Sequence, residues 1–195
     1  MQYKEAVDKV LYLGTSNPNK IREMSALLQS MGITARALDG IPDVPETARS
    51  YKGNALLKAR TLAALYGVPV LSEDSGLGVR VLGGAPGLYS GRYSGAADHN
   101  SKDNAAKLLS VMKGVRDRRA GFVTAAAISD GGQDYTATRR VPGTITEKPR
   151  GDKGFSYDTV FVPKGSTQTY AESGDKSDSS RDRAVRALLR KYYGV

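Results

Sequence analysis

The sequence predicts an α/β fold in which a mixed β-sheet is flanked by helices. Near both ends of the chain, segments with apolar residues at helical spacing alternate with short apolar runs, and two strand-like runs in the middle are joined by Asp-Gly-Gly. Alternating strands and helices are typical of parallel strand pairs, whereas two strands joined by a short turn form an antiparallel hairpin. The 195 residues suffice for one well-filled core, and no repeat or linker divides them, so we predict a single domain over residues 1–195.

Hydrophobic periodicity places the individual elements. Strands are predicted where short apolar or alternating runs are bounded by turn residues, at residues 10–15, 68–72, 77–81, 122–129, 135–141, 144–147 and 159–162. Helices are predicted where apolar side chains recur every three or four residues, at residues 18–31, 51–66, 105–112 and 179–193. Ser16 or Asn17 can cap the first helix, and Gly32 and Gly67 follow the first two helices where a left-handed residue is favoured. The only histidine, His99, is assigned to a loop.

Charge and composition narrow the class of protein. Lysine and arginine exceed the acids by 29 to 20, for a net charge of +9, which favours a polyanionic partner such as nucleic acid or nucleotide phosphates. The basic residues are scattered rather than arranged as one stripe interleaved with aromatic residues, which argues against a nucleic-acid module, and a well-solvated surface explains most of them. No apolar run approaches the ~20 residues needed to cross a bilayer, and the N-terminus lacks a secretory pattern, so we expect a cytoplasmic protein without membrane contact. The absence of cysteine excludes thiolate metal ligands and a cysteine nucleophile.

Residues 15–20, Thr-Ser-Asn-Pro-Asn-Lys, connect the first strand to the first helix. A helix N-terminus presents unpaired backbone N–H groups and the positive end of its dipole, and Ser16, Asn17 and Lys20 add polar side chains, so phosphate oxygens would be well received there. The segment lacks the glycines of a Walker sequence. A capped helix with a solvated lysine explains the same residues, and the local sequence leaves both interpretations open.

Acidic residues occur together at two places. Glu73 and Asp74 follow a hydrophobic strand and precede a Ser-Gly pair, at a position where α/β proteins often place catalytic groups. Adjacent carboxylates repel each other unless a cation or proton lies beside them, and magnesium is commonly shared between one or two carboxylates and substrate phosphates. One acid could hold the metal while the other orients or deprotonates water, although an ordinary turn is the alternative. Asp43 and Glu46 lie on a proline-rich loop that could face this pair, and a solvated loop is the simpler explanation for them.

Residues 154–158, Gly-Phe-Ser-Tyr-Asp, combine aromatic and acidic side chains ahead of Lys176 and Arg181. An aromatic face can stack on a nucleobase, and Asp, Lys and Arg can form hydrogen bonds with its edges. The segment therefore indicates a candidate base-binding site. The alternative is that Phe155 and Tyr157 are core residues at a strand entry, and for Tyr157 we favour it.

Taken together, these segments resemble the inosine triphosphate pyrophosphatase family, whose members hydrolyse non-standard purine nucleoside triphosphates to monophosphates and pyrophosphate. The resemblance covers nearly the whole chain in order. It is carried by "TSNPNK" (15–20), "NALLKARTLA" (54–63), "SEDSGL" (72–77), "LGGAPGLYSGRYSG" (82–95), "GFSYDTVFVPKG" (154–165) and "TYAE" (169–172). The Gly-rich run combined with the acid-acid-Ser-Gly motif is highly specific.

The resemblance implies an elongated mixed sheet with two lobes, a nucleotide-binding cleft between them, and a homodimer. It implies that Asp74, Glu73 and Lys20 are the catalytic residues, with Asp74 as general base or magnesium ligand beside Glu73. Mg²⁺ would offset the charge of the purine nucleoside triphosphate while a water attacks the α-phosphorus. The residues expected to bind the substrate are Thr15, Ser16, Asn17, Pro18, Asn19, Lys20 and Ser75 at the phosphates, and Phe155, Ser156, Tyr157, Asp158, Lys176, Ser180 and Arg181 at the base.

The chain departs from the family pattern in places that concern the base and the metal. Ser180 stands where family members commonly have histidine in Ser-His-Arg, and Ser156 and Thr159 replace the second glycine and the proline of Gly-Phe-Gly-Tyr-Asp-Pro. Gly53 stands where many bacterial members have glutamate, so Asp43 or Glu46 would have to hold the metal instead. Because the phosphate-binding segment and the acidic pair are intact, we predict retained hydrolysis with altered base preference.

Two other functions remain open at the level of sequence. A nucleotide-binding protein that has lost catalysis would also explain Ser180 and Gly53, and it would bind nucleotides without turnover. A basic nucleic-acid-binding module would explain the charge, and it would show strongly salt-dependent affinity for oligonucleotides. The second of these gives no role to the acidic pair.

Overall fold

The computed structural model describes residues 9–95 and 101–194, which contain six strands and five helices. The strands are β1 (Val10–Leu13), β2 (Thr34–Ala37), β3 (Val70–Val79), β4 (Arg119–Ser129), β5 (Asp134–Ile145) and β6 (Phe161–Pro163). The helices are α1 (Pro18–Ser30), α2 (Tyr51–Tyr66), α3 (Ser101–Val111), α4 (Tyr170–Ser173) and α5 (Ser180–Tyr193). No helix within these ranges is long and apolar enough to cross a membrane. His99, predicted to be a loop residue, lies outside the described residues.

Capping residues set the helix boundaries, as predicted for α1 and α2. The Asn17 side chain accepts hydrogen bonds from the backbone N–H groups of Asn19 and Lys20 and so caps α1. Helix α2 ends at Gly67, whose φ of 65° is the left-handed conformation that glycine adopts without strain. Helix α5 starts after Ser179, which caps it through its side chain. These caps fix the points where α1 and α5 begin, and both of those points border the site described below.

The six strands form one mixed sheet in the order β2-β1-β3-β4-β5-β6. Strands β2, β1 and β3 are parallel to one another, whereas the pairs β3–β4, β4–β5 and β5–β6 are antiparallel. The predicted hairpin is confirmed: β4 and β5 are joined by a turn in which Asp130 accepts hydrogen bonds from the backbone N–H groups of Gly132 and Gln133. The predicted fold class, a mixed sheet with flanking helices, is likewise confirmed.

The strand that carries the acidic pair differs from its prediction. We expected a break after Leu71 or Ser72 and a new strand at residues 77–81, but β3 runs unbroken from Val70 to Val79. Every residue of β3 is paired with β4, with Glu73 opposite Ala126 and Asp74 opposite Ala125. This pairing satisfies the backbone of the polar residues, so a polar stretch with the composition of a turn can lie within a long strand.

Smaller differences occur at the edges of the sheet. Strand β5 continues through residues 142–143 to Ile145, where a separate strand was predicted at 144–147, and β6 is limited to residues 161–163 because residues 156–159 form a 3₁₀ turn. Strand β2 was not predicted, since Thr-Ala-Arg-Ala is short and contains no large apolar side chain. The length of β5 and the formation of β2 depend on pairing with other strands, which local periodicity does not register.

Helices cover the two faces of the sheet unequally. Helices α1 and α5 pack on one face of β1, β3, β4 and β5, and α2 packs on the other through Ala55 and Ala59 against Ala125 and Ala127. On the face of α1 and α5 the core consists of two clusters. The first lobe is built around Leu11, Met24, Leu71, Ala126, Val185 and Leu188, and the second lobe around Leu77, Leu108, Met112, Tyr157, Phe161 and Tyr170. The same long strands therefore pass from one lobe into the other.

Candidate functional site

A cleft with a volume of about 860 Å³ lies between the two lobes, within the usual size range of small-molecule sites. Since side chains alternate along a strand, Leu71, Glu73, Ser75 and Leu77 share one face of β3. Leu71 belongs to the core of the first lobe and Leu77 to that of the second, and the polar residues Glu73 and Ser75 lie between them. The interruption of the apolar face by Glu73 and Ser75 thus marks the point where the cleft crosses the sheet.

The loop from β1 into α1 forms one wall of this cleft. Thr15, Ser16, Asn17, Asn19 and Lys20 line it, together with the N-terminal end of α1, as expected for an anion-binding site. Thr15 Oγ1 accepts a hydrogen bond of 3.2 Å from the backbone N–H of Asn17, which orders the loop. Pro18, also predicted to bind substrate, is the first residue of α1 and is not part of the lining.

Glu73 and Asp74 point to opposite faces of β3, so their mutual repulsion is much weaker than their adjacency in the sequence suggests. The side chain of Glu73 is fully buried and does not line the cleft. Its Oε1 lies 2.6 Å from Lys20 Nζ and 3.6 Å from Arg181 Nη2. Burial is the largest influence and opposes ionisation, but the nearby positive charges outweigh it and lower the pKa of Glu73 to about 2. The charge of Glu73 is therefore balanced by two side chains of the protein itself.

Asp74 lines the cleft from the α2 side of the sheet. Its Oδ2 accepts a hydrogen bond of 2.9 Å from Nδ2 of Asn54, and Asn54 Oδ1 accepts one of 2.9 Å from the backbone N–H of Ala48. Burial raises the pKa of Asp74, the hydrogen bond from Asn54 opposes that rise, and the negative charge of Glu46 adds to it. Asp74 is thus an oriented carboxylate with an increased affinity for a proton or a cation.

The loop before α2 brings a second acid to the same part of the cleft. Glu46 lines the cleft and forms an ion pair of 2.8 Å with Lys58, and Asp43 lines it as well. Within residues 9–95 and 101–194 there is no group of three or more His, Asp or Glu side chains that could hold a metal ion. Asp74 and Glu46 offer at most two carboxylates, which fits magnesium, because this ion usually takes one or two carboxylates and completes its shell with water and substrate phosphates.

The opposite end of the cleft contains Phe155 beneath two cations. Lys176 Nζ lies 4.5 Å from the centre of the Phe155 ring and the Arg181 guanidinium lies 5.8 Å from it. Asp158 forms an ion pair of 2.6 Å with Lys176 and accepts a hydrogen bond of 2.7 Å from the backbone N–H of Phe155. Glu23, on α1, forms ion pairs with both Lys176 and Arg181. The aromatic ring and both cations are therefore held in place by acids.

Ser180, Thr124, Ser156 and Tyr157 complete this end of the cleft, and Ser75 lies beside Arg181. Ser180 is buried and its Oγ lies 2.9 Å from Thr124 Oγ1, and Ser75 Oγ accepts a hydrogen bond of 3.3 Å from Arg181 Nη2. Ser156 has a φ of 59°, a left-handed conformation that is strained for a residue other than glycine. The interpretation of Tyr157 as a core residue is confirmed: it is 1% exposed, it belongs to the second lobe, and its hydroxyl donates a hydrogen bond to the carbonyl of Ser90.

Sequence reasoning missed three residues that organise the site: Asn54, Glu23 and Thr124. Asn54 is a buried polar residue on the side of α2 that otherwise carries small apolar residues, and that mismatch was a signal. Glu23 lies one turn after Lys20 on α1, where an ordinary solvated acid is expected, and Thr124 lies within a run of small strand residues. Only the packing of α1 against α5 and the register of β3 with β4 reveal the last two.

The chain is thus a two-lobed α/β protein with a polar cleft. One end of this cleft has a helix start suited to anions, and the other has an aromatic residue under two cations. Comparison with known proteins shows that the chain belongs to the Ham1 family, whose model matches residues 11–191. It is 42% identical to the dITP/XTP pyrophosphatase of Bacillus licheniformis over 189 residues, which is 92% of this chain and 96% of that protein. It is 40% identical to the dITP/XTP pyrophosphatase of Geobacter sulfurreducens, covering 94% of this chain and 96% of that one.

Solved structures agree with the fold. The Ham1 protein of Staphylococcus aureus superposes with a TM-score of 0.82 at 29% identity, covering 95% of this chain and 99% of that chain. A HAM1 protein from Coxiella burnetii gives a TM-score of 0.84 at 28% identity, with coverages of 96% and 100%. The predicted family and the predicted two-lobed mixed sheet are therefore confirmed.

Proposed function

We propose that this protein is a magnesium-dependent pyrophosphatase that hydrolyses non-standard purine nucleoside triphosphates, such as dITP and XTP, to the monophosphate and pyrophosphate. The observation that carries the proposal is the position of Asp74. Asn54 orients this carboxylate, which lines the same cleft as Phe155 and as the start of α1, a helix end suited to phosphates. The names of relatives about 40% identical over nearly the whole chain support the same reaction.

At the phosphate end, the β1–α1 loop receives the triphosphate. Lys20 and the N-terminal dipole of α1 attract phosphate oxygens, and Ser16, Asn17 and Asn19 supply polar groups beside them. Ser75, at the start of the second lobe, contacts phosphate from the floor of the cleft. In this proposal the α-phosphate lies between Lys20 on one side and the acids of β3 and of the loop before α2 on the other.

Asp74 is the general base in this proposal. Its raised pKa suits it to take a proton from the attacking water, whose oxygen bonds to the α-phosphorus. The bond from the α-phosphorus to the oxygen that bridges the α- and β-phosphorus atoms breaks, and that oxygen leaves with pyrophosphate. Asp74 and Glu46 are the residues that would hold magnesium, which offsets the negative charge of the triphosphate when bound. The metal roles of Glu73 and Asp43 stay predictions, and the ion pairs of Glu73 favour a different role for it.

At the base end, Phe155 stacks on the purine and the cations above it supply hydrogen-bond donors. Lys176 and Arg181 present donors only, which match the carbonyl oxygen at position 6 of hypoxanthine or xanthine and do not match the amino group of adenine. Ser156, Tyr157, Asp158 and Ser180 complete this pocket as walls or as partners of the cations. The pocket therefore discriminates by the kind of group on the purine edge.

The resemblance to the family also leads us to propose a homodimer and a cytoplasmic location. Light scattering coupled to gel filtration tests the first: a mass of about 42 kDa, twice the 20.8 kDa of one chain, agrees with it. A mass equal to one chain over the working concentration range contradicts it.

A nucleotide panel with magnesium tests the proposed reaction. Phosphate products are separated by chromatography, and pyrophosphate with monophosphate is expected from at least one 6-oxo purine nucleotide. Successive release of single orthophosphates, or no turnover of any nucleotide, contradicts the proposal. Asp74→Asn is expected to abolish turnover while leaving nucleotide binding measurable by calorimetry, and Asp130→Asn, at the exposed β4–β5 turn, is the matched control. Binding by the unaltered chain without turnover would instead identify a nucleotide-binding protein.

A further inference from the structure

The buried carboxylate of Glu73 connects the two ends of the cleft. Lys20 reaches it from the start of α1, at the phosphate end, and Arg181 reaches it from the start of α5, at the base end. Both cations approach the same oxygen, Oε1, at 2.6 and 3.6 Å. One buried charge is therefore shared by two residues that the proposed function assigns to different parts of the substrate.

Within the residues that the structure describes, the Glu73 carboxylate forms few interactions besides those with Lys20 and Arg181. The Glu73 side chain has no exposed surface, and within the described part of the chain neither of its oxygens accepts a hydrogen bond of standard geometry. The two cations are thus held mainly by charge, which acts strongly in a buried setting and does not require a fixed direction. Lys20, 19% exposed, can turn towards an anion in the cleft at modest cost, whereas Glu73 is fixed by its strand.

We propose that Glu73 is a positioning residue that couples phosphate binding to base recognition, through its shared ion pairs with Lys20 and Arg181. When an anion draws Lys20 away from Glu73, the charge of Glu73 is left to Arg181. The Arg181 guanidinium is then held more firmly beside Phe155, and the base pocket is more ordered. The coupling rests on the proposed function, because it assumes that phosphates bind at Lys20 and the base at Phe155.

A second contact between the same helices explains why the effect is transmitted to the base. Glu23 of α1 holds both Lys176 and Arg181, so the donors of the base pocket form one charged group. Among the described residues, the ion pairs of Glu23 join the base pocket to α1 and do not include Lys20. Loss of Glu23 is therefore expected to weaken base binding with or without phosphate, whereas loss of Glu73 removes the dependence of one on the other.

Calorimetry without turnover tests the coupling. The affinity for inosine is measured with and without saturating inorganic tripolyphosphate and magnesium, so that the two halves of the substrate are supplied separately. The unaltered protein is expected to bind inosine at least about fivefold more tightly when tripolyphosphate is present, in the range of ordinary coupling between two sites. Equal affinities, or no binding of inosine in either condition, would overturn the proposal.

Two variants locate the coupling. Glu73→Gln keeps the shape of the side chain and removes its charge, so the affinity for inosine should respond less than twofold to tripolyphosphate. Glu23→Gln is the matched control in the same network, and it should weaken inosine binding yet keep the fivefold response. A fivefold response in Glu73→Gln would contradict the role of Glu73.

The buried position of Glu73 makes a second route to the test useful. Lys20→Met removes the other member of the shared pair at a partly exposed position, and it should abolish the response to tripolyphosphate at concentrations that still saturate the site. A retained response in this variant overturns the proposal even where Glu73→Gln does not fold. Because binding is measured without hydrolysis, the coupling and the reaction are tested separately. Coupling without pyrophosphate release would contradict only the proposed reaction. Pyrophosphate release without coupling would contradict only the proposed role of Glu73.

Discussion

Asn54 donates a hydrogen bond of 2.9 Å to Asp74, and it is itself fixed by the backbone N–H of Ala48. The hydrogen bond between Asn54 and Asp74 joins the middle of β3 to the first turns of α2. It sets the direction of Asp74, which lines the cleft, whereas the neighbouring Glu73 does not. The orientation of Asp74 is therefore a property of helix packing rather than of the acidic motif alone.

Asn54→Ala is expected to reduce kcat about 10- to 100-fold, the usual effect of removing a group that orients a metal ligand or base. Asp74 would keep its charge but lose its fixed direction. Ser50→Ala is the control, since it removes the cap of the same helix, at a cost of about 1 kcal/mol, without touching Asp74. Equal losses of kcat in the two variants would show that the effect is a general loosening of α2.

Lys20→Met is expected to lower the free energy of unfolding by about 2 kcal/mol, less than the loss of a fully isolated buried pair because Arg181 still faces Glu73. Urea denaturation provides the measurement. Lys58→Met is the matched control and should cost less than about 1 kcal/mol, since its partner Glu46 is partly exposed. Adding Glu73→Gln to Lys20→Met should recover most of the loss, and failure to recover it would contradict the assignment of the pair.

Phe155→Leu is expected to weaken binding of an inosine nucleotide by about 1–3 kcal/mol, because stacking of a base on an aromatic ring contributes on that order. The measurement is best made in an Asp74→Asn background, where hydrolysis does not interfere. Tyr89→Leu, at an aromatic residue that is 65% exposed and does not line the cleft, is the control. Unchanged affinity in the Phe155 variant would exclude it from the base site.

Glu46→Gln is expected to raise the magnesium concentration required for half-maximal activity by about tenfold, since a carboxylate of a weakly chelating site is lost. Asp43→Asn, on the same loop, is the comparison and should change this concentration little. Both variants are assayed at a fixed nucleotide concentration after removal of metal with a chelator. The reverse order of effects would assign the metal to Asp43.

Ser156→Gly is expected to raise the free energy of unfolding by about 1 kcal/mol, because glycine adopts the φ of 59° without strain. Ser110→Gly, on the exposed side of α3, is the control and should lower it by about 0.5 kcal/mol. If Ser156→Gly lowers the stability as well, the hydroxyl of Ser156 contributes more than the strain of its backbone takes away.

Local signals in the sequence explain the elements that were predicted well. The helix ends at Asn17, Gly67 and Ser179 depend on capping residues within a few positions, and the β4–β5 hairpin depends on its own turn. The family resemblance depends on contiguous motifs, so the order of the residues along the chain is enough to show it. Each of these features has its physical cause within about one turn or one hairpin of the chain.

The fold class, the family and the candidate residues can be predicted from the sequence, because periodicity, caps and motifs are local. How those residues are paired becomes visible only in the folded chain. Glu73 and Asp74 are neighbours in the chain, yet β3 continues through them and sends them to opposite faces, one to Lys20 and Arg181 and the other to Asn54. The physical reason is strand pairing with β4, a long-range contact that fixes which side of the sheet each charge occupies.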